Sequence, residues 1–186
     1  NRMGCDAKDS DGVAEVAASL GLEVIRTDMV PSSKGYAVSS TKIRQSLEEG
    51  DVEHAQAMLG YAYSLQGVVV AGNRIGRTIG FPTANMQLYE PLKLVPGNGV
   101  YLVRVNTLGR SLYGMCNIGF RPTVGNDRTR TIETHIFDFE EDIYGLDMEI
   151  TFVKKIRDEV RFASLDHLRL QLETDKHHCR TILWKK

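Results

Sequence analysis

At 186 residues with 42% hydrophobic content, the chain can enclose a real core as one domain, or as one domain with part of another attached. Lys and Arg total 23 against 24 Asp and Glu, and the net charge of -1 leaves no basic footprint for duplex nucleic acid. The longest apolar runs, such as Val68-Val69-Val70-Ala71, are too short to cross a bilayer, and no charged-then-apolar leader precedes them. A cytoplasmic protein without a membrane or nucleic-acid partner is expected, in which affinity for any phosphorylated ligand comes from local geometry. Cys5, Cys116 and Cys179 are odd in number, scattered and without a CxxC pair, which fits buried or free thiols in a reducing compartment. His177, His178 and Cys179 are adjacent, but on a helix they diverge, so no zinc site is expected there. The chain opens at Asn1 without a methionine, as expected of a fragment or a processed form.

In chain order, 11–20 is alanine-rich with helical spacing, Gly21 stops it, and 22–30 reads as a strand, giving an α/β pattern. After a polar loop through Pro31 and Gly35, Ser39 and Ser40 are positioned to cap a helix that runs through Ile43 and Leu47 to Gly50. Asp51 caps another, which turns Ala55, Met58 and Leu59 inward and ends at Gly60. Beyond Tyr63 the grammar changes to strands over 64–71, 81–88, 99–108, 111–118, 130–139 and 146–156, separated by Gly, Pro and Asn. In the last of these Leu146, Met148, Ile150 and Phe152 alternate with Asp147, Glu149 and Thr151, one face dry and the other wet. Leu108-Gly109-Arg110-Ser111 reads as a short hairpin connection, and closely spaced strands argue for an antiparallel barrel that removes its edges by closing. Ser164 caps a final helix whose Leu165, Leu168 and Leu172 form one apolar stripe, to be packed outside the barrel or across one end.

Three stretches carry candidate chemistry. Gly72, Gly76 and Gly80 are spaced four apart with Arg74 and Arg77 between them, a composition that brings backbone N–H groups and charge to an anion, or that turns a barrel corner. It is neither a Walker A loop nor a dinucleotide fingerprint. Pro82-Thr83-Ala84-Asn85 follows, and in an extended chain the Thr83 hydroxyl and Asn85 amide oxygen point the same way, as neutral ligands for a nucleotide-carried Mg²⁺ or as polar residues on an edge strand. Glu133 sits mid-strand between Ile132 and Ile136, suited to a general base for transfer to an alcohol, or else facing solvent or pairing with Arg121 or Arg130. His135 shares its face, either assisting it or serving the structure.

From about Tyr63 onward these residues resemble the riboflavin kinase module of bacterial bifunctional riboflavin kinase/FAD synthetases. The resemblance runs through the 76–85 stretch, Gly99-Val100-Tyr101, Asn117-Ile118-Gly119-Phe120-Arg121-Pro122-Thr123, Glu133-Thr134-His135 and Asp142-Ile143-Tyr144-Gly145. It implies a mainly β fold, a six-stranded antiparallel Greek-key barrel with a C-terminal helix. It also implies ATP bound by Gly72, Arg74, Gly76, Arg77, Gly80, Pro82, Thr83 and Asn85, Mg²⁺ held through Thr83 and Asn85, and Glu133 as base toward the ribityl hydroxyl of riboflavin. Asn117, Arg157 and Phe162 match flavin-binding positions, the last two in a flap after the final strand. Residues 1–60 resemble the C-terminal fragment of the same enzymes' adenylyltransferase domain, an α/β nucleotidyltransferase fold, with Ser39, Ser40, Thr41 and Arg44 as a vestige of its nucleotide motif; 61–186 is then the kinase domain. The expected activity is phosphorylation of riboflavin by ATP to give FMN and ADP, with adenylyl transfer to FAD belonging to the longer parent. An FMN adenylyltransferase and a non-catalytic flavin-binding barrel are the alternatives.

Overall fold

A computed structural model of the chain describes residues 10–25, 35, 38–72, 75–122 and 128–184. The chain divides into two compact units, Asn1–Val30 and Pro31–Lys186. In the first, helix α1 spans Ser10–Ser19 and stops at Gly21, as its sequence requires. The strand expected to follow is absent from 22–25, since an extended run forms a ladder only against a partner strand; 26–30 and Cys5 lie outside the described residues.

In the second unit α2 (Ser40–Glu49) and α3 (Val52–Leu59) each end on a left-handed glycine, Gly50 and Gly60. Asp51 caps α3 by accepting from the His54 N–H at 2.9 Å. Ser39 stands at the N-cap of α2, but its side chain makes no capping bond. Six strands follow: β1 (Ser64–Val70), β2 (Ala84–Leu88), β3 (Gly99–Thr107), β4 (Arg110–Pro122), β5 (Arg128–Ile136) and β6 (Asp147–Arg157). A one-turn helix, α4 (Ile75–Thr78), lies between β1 and β2, and α5 (Leu165–Trp184) closes the chain.

The strands form a closed antiparallel barrel in the order β1-β2-β5-β4-β3-β6. β3, β4 and β5 are a meander and β6 returns beside β3, which is Greek-key connectivity. Leu108 and Gly109 both take positive φ, making the two-residue primed turn whose twist suits a hairpin. β2 begins at Ala84 rather than at Phe81, because Phe81 N–H turns back to the Gly76 carbonyl at 2.8 Å and Pro82 has no N–H to give a ladder. Along β6 Met148, Ile150 and Phe152 face the core as the alternation demands, while Leu146 precedes the strand and is partly exposed.

Alternation sorts the apolar residues into two clusters. The barrel interior holds Leu65, Val69, Tyr101, Val103, Ile118, Ile150 and Phe152, and Leu47, Val52 and Ala55 of α2 and α3 join the same cluster. On the outer surface Val100, Leu102, Met115 and Phe137 pack with Leu172, Cys179 and Ile182 of α5. β3 is therefore apolar on both faces: one faces the interior, and the other lies under α5. Of the expected stripe on α5, Leu172 packs on the barrel, whereas Leu165 stays 53% exposed. His177 and His178 are exposed and Cys179 is buried, so the three do diverge. Among the described residues no helix is long and apolar enough to cross a membrane.

Candidate active site

Strand register builds the centre of the site. Glu133 of β5 lies directly opposite Asn85 of β2 on one side and Asn117 of β4 on the other. Opposed residues of an antiparallel pair share a face, so one carboxylate sits between two carboxamides on the outer surface of the barrel. Ile132 and Thr134, its neighbours in sequence, point the other way into the core.

Over this surface lies a cavity of about 280 Å³ lined by Gly76, Thr83, Asn117, Glu133, His135 and Arg157. Its apolar wall comes from Ile79, Phe81, Val100, Met115, Val160, Phe162, Leu168 and Leu172. Few polar groups converging in an otherwise apolar hollow is the make-up of a small-molecule site. A second hollow, bordered by Arg77, Pro82, Thr83, Thr134 and residues 139–144, adjoins it, and Thr83 belongs to both.

Of the residues singled out from sequence, Gly76, Thr83, Asn117, Glu133, Arg157 and Phe162 meet around the first cavity, and Arg77 and Pro82 border the second. Asn85 opposes Glu133 in the ladder but borders a different hollow, and its amide lies over Gly72 so closely that a Cβ there would collide with it. Gly80 takes φ 82 in the turn after α4. Arg74 lies outside the described residues. Ser40, Thr41 and Arg44 are exposed on the first turns of α2, with Ser39 just before them. Arg130 directs its guanidinium to the carbonyls of Val95 (3.1 Å) and Pro96 and to Asn98 Oδ1 at 3.2 Å.

His135 ties the two hollows together. Its Nδ1 donates to the Pro82 carbonyl at 2.9 Å, which fixes the peptide leading into Thr83, and its ring packs between Phe81 and Phe137. Burial pushes the imidazole below its ordinary value; Lys176 and Arg180 act in the same direction, against the Pro82 hydrogen bond and Asp138. It is therefore neutral at pH 7. Arg157 is held by Asp175 of α5 through a forked pair, and its guanidinium carbon lies 5.8 Å from the Phe162 ring centre. Asp175 was not singled out from sequence. It continues the stripe Leu165, Leu168, Leu172 by three residues, and an aspartate on an apolar stripe is the signal that would have found it.

The profile of one family, described as flavokinase, riboflavin kinase, matches residues 59–183. The chain belongs to the riboflavin kinase family. Among its relatives is the bifunctional riboflavin kinase/FMN adenylyltransferase of Listeria monocytogenes, 38% identical over 179 residues, which are 96% of this chain and 54% of that protein. The protein of the same description from Haemophilus influenzae is 43% identical over 139 residues, covering 74% of this chain and 44% of the relative. A crystal structure described as a macrolide-efflux protein from Streptococcus pneumoniae superposes with a TM-score of 0.79 at 36% identity, covering 97% of this chain and 57% of that one. The chain thus spans about half the length of the curated relatives it matches.

Proposed function

We propose that this chain is an ATP-dependent riboflavin kinase that moves the γ-phosphate of ATP to the terminal ribityl hydroxyl of riboflavin, giving FMN and ADP. The observation that carries the reading is the meeting of two hollows at Thr83. The residues assigned to the flavin and the base, Asn117, Glu133, Arg157 and Phe162, line one, at whose edge Gly76 of the nucleotide set also lies; Arg77 and Pro82, assigned to the nucleotide, border the other. Donor and acceptor would then face each other across a single hydroxyl-bearing residue, as in-line transfer requires.

In this reading Glu133 takes the proton of the ribityl hydroxyl as its oxygen bonds to the γ-phosphorus and the bond to the ADP oxygen breaks. The Asn85 and Asn117 carboxamides orient the carboxylate from its two sides. Gly72, Gly76 and Gly80 let the backbone approach the phosphates. The donor types suit Mg²⁺: the Thr83 hydroxyl and Asn85 amide oxygen are hard, neutral ligands of the kind a nucleotide-borne ion accepts, and they would hold it between the hollows that Thr83 borders and the separate one that Asn85 borders. Bound there, the ion neutralises phosphate charge. The apolar wall and the Phe162 ring match a flat, largely apolar isoalloxazine.

The domain division at residue 60, with 1–60 as the tail of an adenylyltransferase domain and Ser39, Ser40, Thr41 and Arg44 as its vestigial nucleotide motif, is part of the same proposal. So are a cytoplasmic location, where ATP is abundant, and small molecules as the only partners at this site. The assay is riboflavin with Mg²⁺–ATP, read by chromatography of FMN. Wild type is expected to form FMN, and Glu133→Gln to lose at least about 100-fold in turnover with its thermal transition unchanged. Wild-type turnover by that variant would remove Glu133 from the role of base. Replacing riboflavin by FMN is expected to give no FAD with these 186 residues, and FAD formation would assign the second activity to them.

A further inference from the structure

Leu165, Leu168, Leu172, Cys179 and Ile182 repeat along α5 at spacings of three and four, and Asp175 fills the one gap in that series. Its side chain is 3% exposed, and a carboxylate so far from water persists only when paired and hydrogen-bonded. Arg157 Nε donates to both of its oxygens, at 3.1 and 2.9 Å, and an Nη of the same guanidinium reaches Oδ2 at 2.8 Å. From one turn earlier on α5, Gln171 Nε2 donates to Oδ1 at 2.8 Å. The other Nη of Arg157 donates to the Asp158 carbonyl at 2.9 Å, and the guanidinium carbon lies 5.8 Å from the centre of the Phe162 ring.

Arg157 ends β6, and the next residues bring Glu159, Val160 and Phe162 to the cavity wall. Glu159 also accepts from Asn98 Nδ2 at 3.2 Å, which ties the same segment to the residue just before β3. A carboxylate on α5 therefore sets the position of the cation around which 158–162 folds. Asp175 itself is not among the residues lining the cavity.

We propose that Asp175, supported by Gln171, is a positioning residue for flavin binding, acting through Arg157 to keep the 158–162 segment over the cavity. The identity of the ligand rests on the kinase reading above; the latch between α5 and the segment does not. Because Asp175 does not itself line the cavity that Glu133 and Asn117 border, its loss weakens the hold on riboflavin and leaves the transfer step and ATP largely untouched.

The test uses the full 186-residue chain with Asp175→Asn and Gln171→Leu. Asparagine keeps the shape but removes the charge, so the forked pairing is lost. Two readouts are needed: steady-state FMN formation with each substrate varied, and the rate of trypsin cleavage after Arg157 and Arg161, followed by mass spectrometry. For Asp175→Asn the expected result is a riboflavin KM raised about tenfold, kcat and the ATP KM within about twofold, and cleavage at Arg161 roughly fivefold faster. Gln171→Leu shifts both readouts in the same direction by less. A folded Asp175→Asn protein with wild-type riboflavin KM overturns the proposal, and so does one whose kcat and both KM values deteriorate together. If that variant does not fold, Gln171→Leu decides, and wild-type values for both of its readouts overturn the proposal. If the wild-type chain forms no FMN, the kinase reading and the role toward flavin fall together. Cleavage after Arg161 then still reports separately on whether Asp175 holds the segment.

Discussion

At the scale of single residues, burial decides chemistry that composition leaves open. His135 was a strand histidine with two readings; enclosed by Phe81 and Phe137 and bonded to Pro82, it is a neutral clamp on the peptide before Thr83. Its folded value lies below the roughly 6.5 of an exposed imidazole, so between the two the unfolded chain binds the proton and the fold does not. The stability it contributes is complete above about pH 6.5 and declines as pH falls from there toward the folded value, below which the loss levels off. Thermal melts from pH 7 to pH 5 are expected to show this decline, with a shallower slope in His135→Gln; an equal slope would deny His135 a share in it. Gly76 has a steric role instead: a Cβ there would run into the Phe81 carbonyl oxygen, across the turn in which Phe81 N–H donates to the Gly76 carbonyl. Gly76→Ala is expected to displace that turn and raise the ATP KM at least about fivefold in the FMN assay, a loss of about 1 kcal/mol in binding. The same logic of burial pushes the thiols of Cys116 and Cys179 each up to about 12, which keeps both protonated at neutral pH.

At the scale of elements, local signals were legible where one residue type suffices. The stops at Gly50 and Gly60, the Asp51 cap and the Leu108–Gly109 turn all formed where capping and turn chemistry placed them. Removing the Asp51 side chain is expected to cost about 1 kcal/mol, a fall in Tm of roughly 2–4 °C by calorimetry. An unchanged Tm would mean that solvent replaces the 2.9 Å bond without loss. Signals that depend on a partner were less legible. Residues 22–25 have strand-like composition without forming a strand, and β2 starts three residues late because Phe81 and Pro82 are engaged in the turn after α4. On α5 the apolar stripe was visible, but its first leucine proved exposed and its fourth position proved to be a buried carboxylate.

At the scale of the whole molecule, closure of the barrel gives each strand two neighbours and turns alternation into an inside and an outside. The interior is a single packed cluster in which Leu65 is fully buried, so Leu65→Ala is expected to cost about 2–5 kcal/mol in denaturant unfolding. A value below about 1 kcal/mol would show that the barrel relaxes around the gap. The outer surface under α5 is equally apolar, and the cavity lies at its border, where β4 and β5 present Asn117 and Glu133 in register, with Asn85 of β2 opposite Glu133 on the far side. By itself the sequence determined the kinds of element, their order and most of their ends, because caps, turns and two-residue alternation act over a few residues. It also carried the motif residues by which the riboflavin kinase family is recognised. Tertiary structure alone decided which of those residues meet. Asn85, Asn117 and Glu133 are far apart in the chain and become neighbours only through strand register, and Asp175 finds Arg157 only when α5 packs on the barrel. Such contacts depend on closing long loops, and no local propensity encodes them.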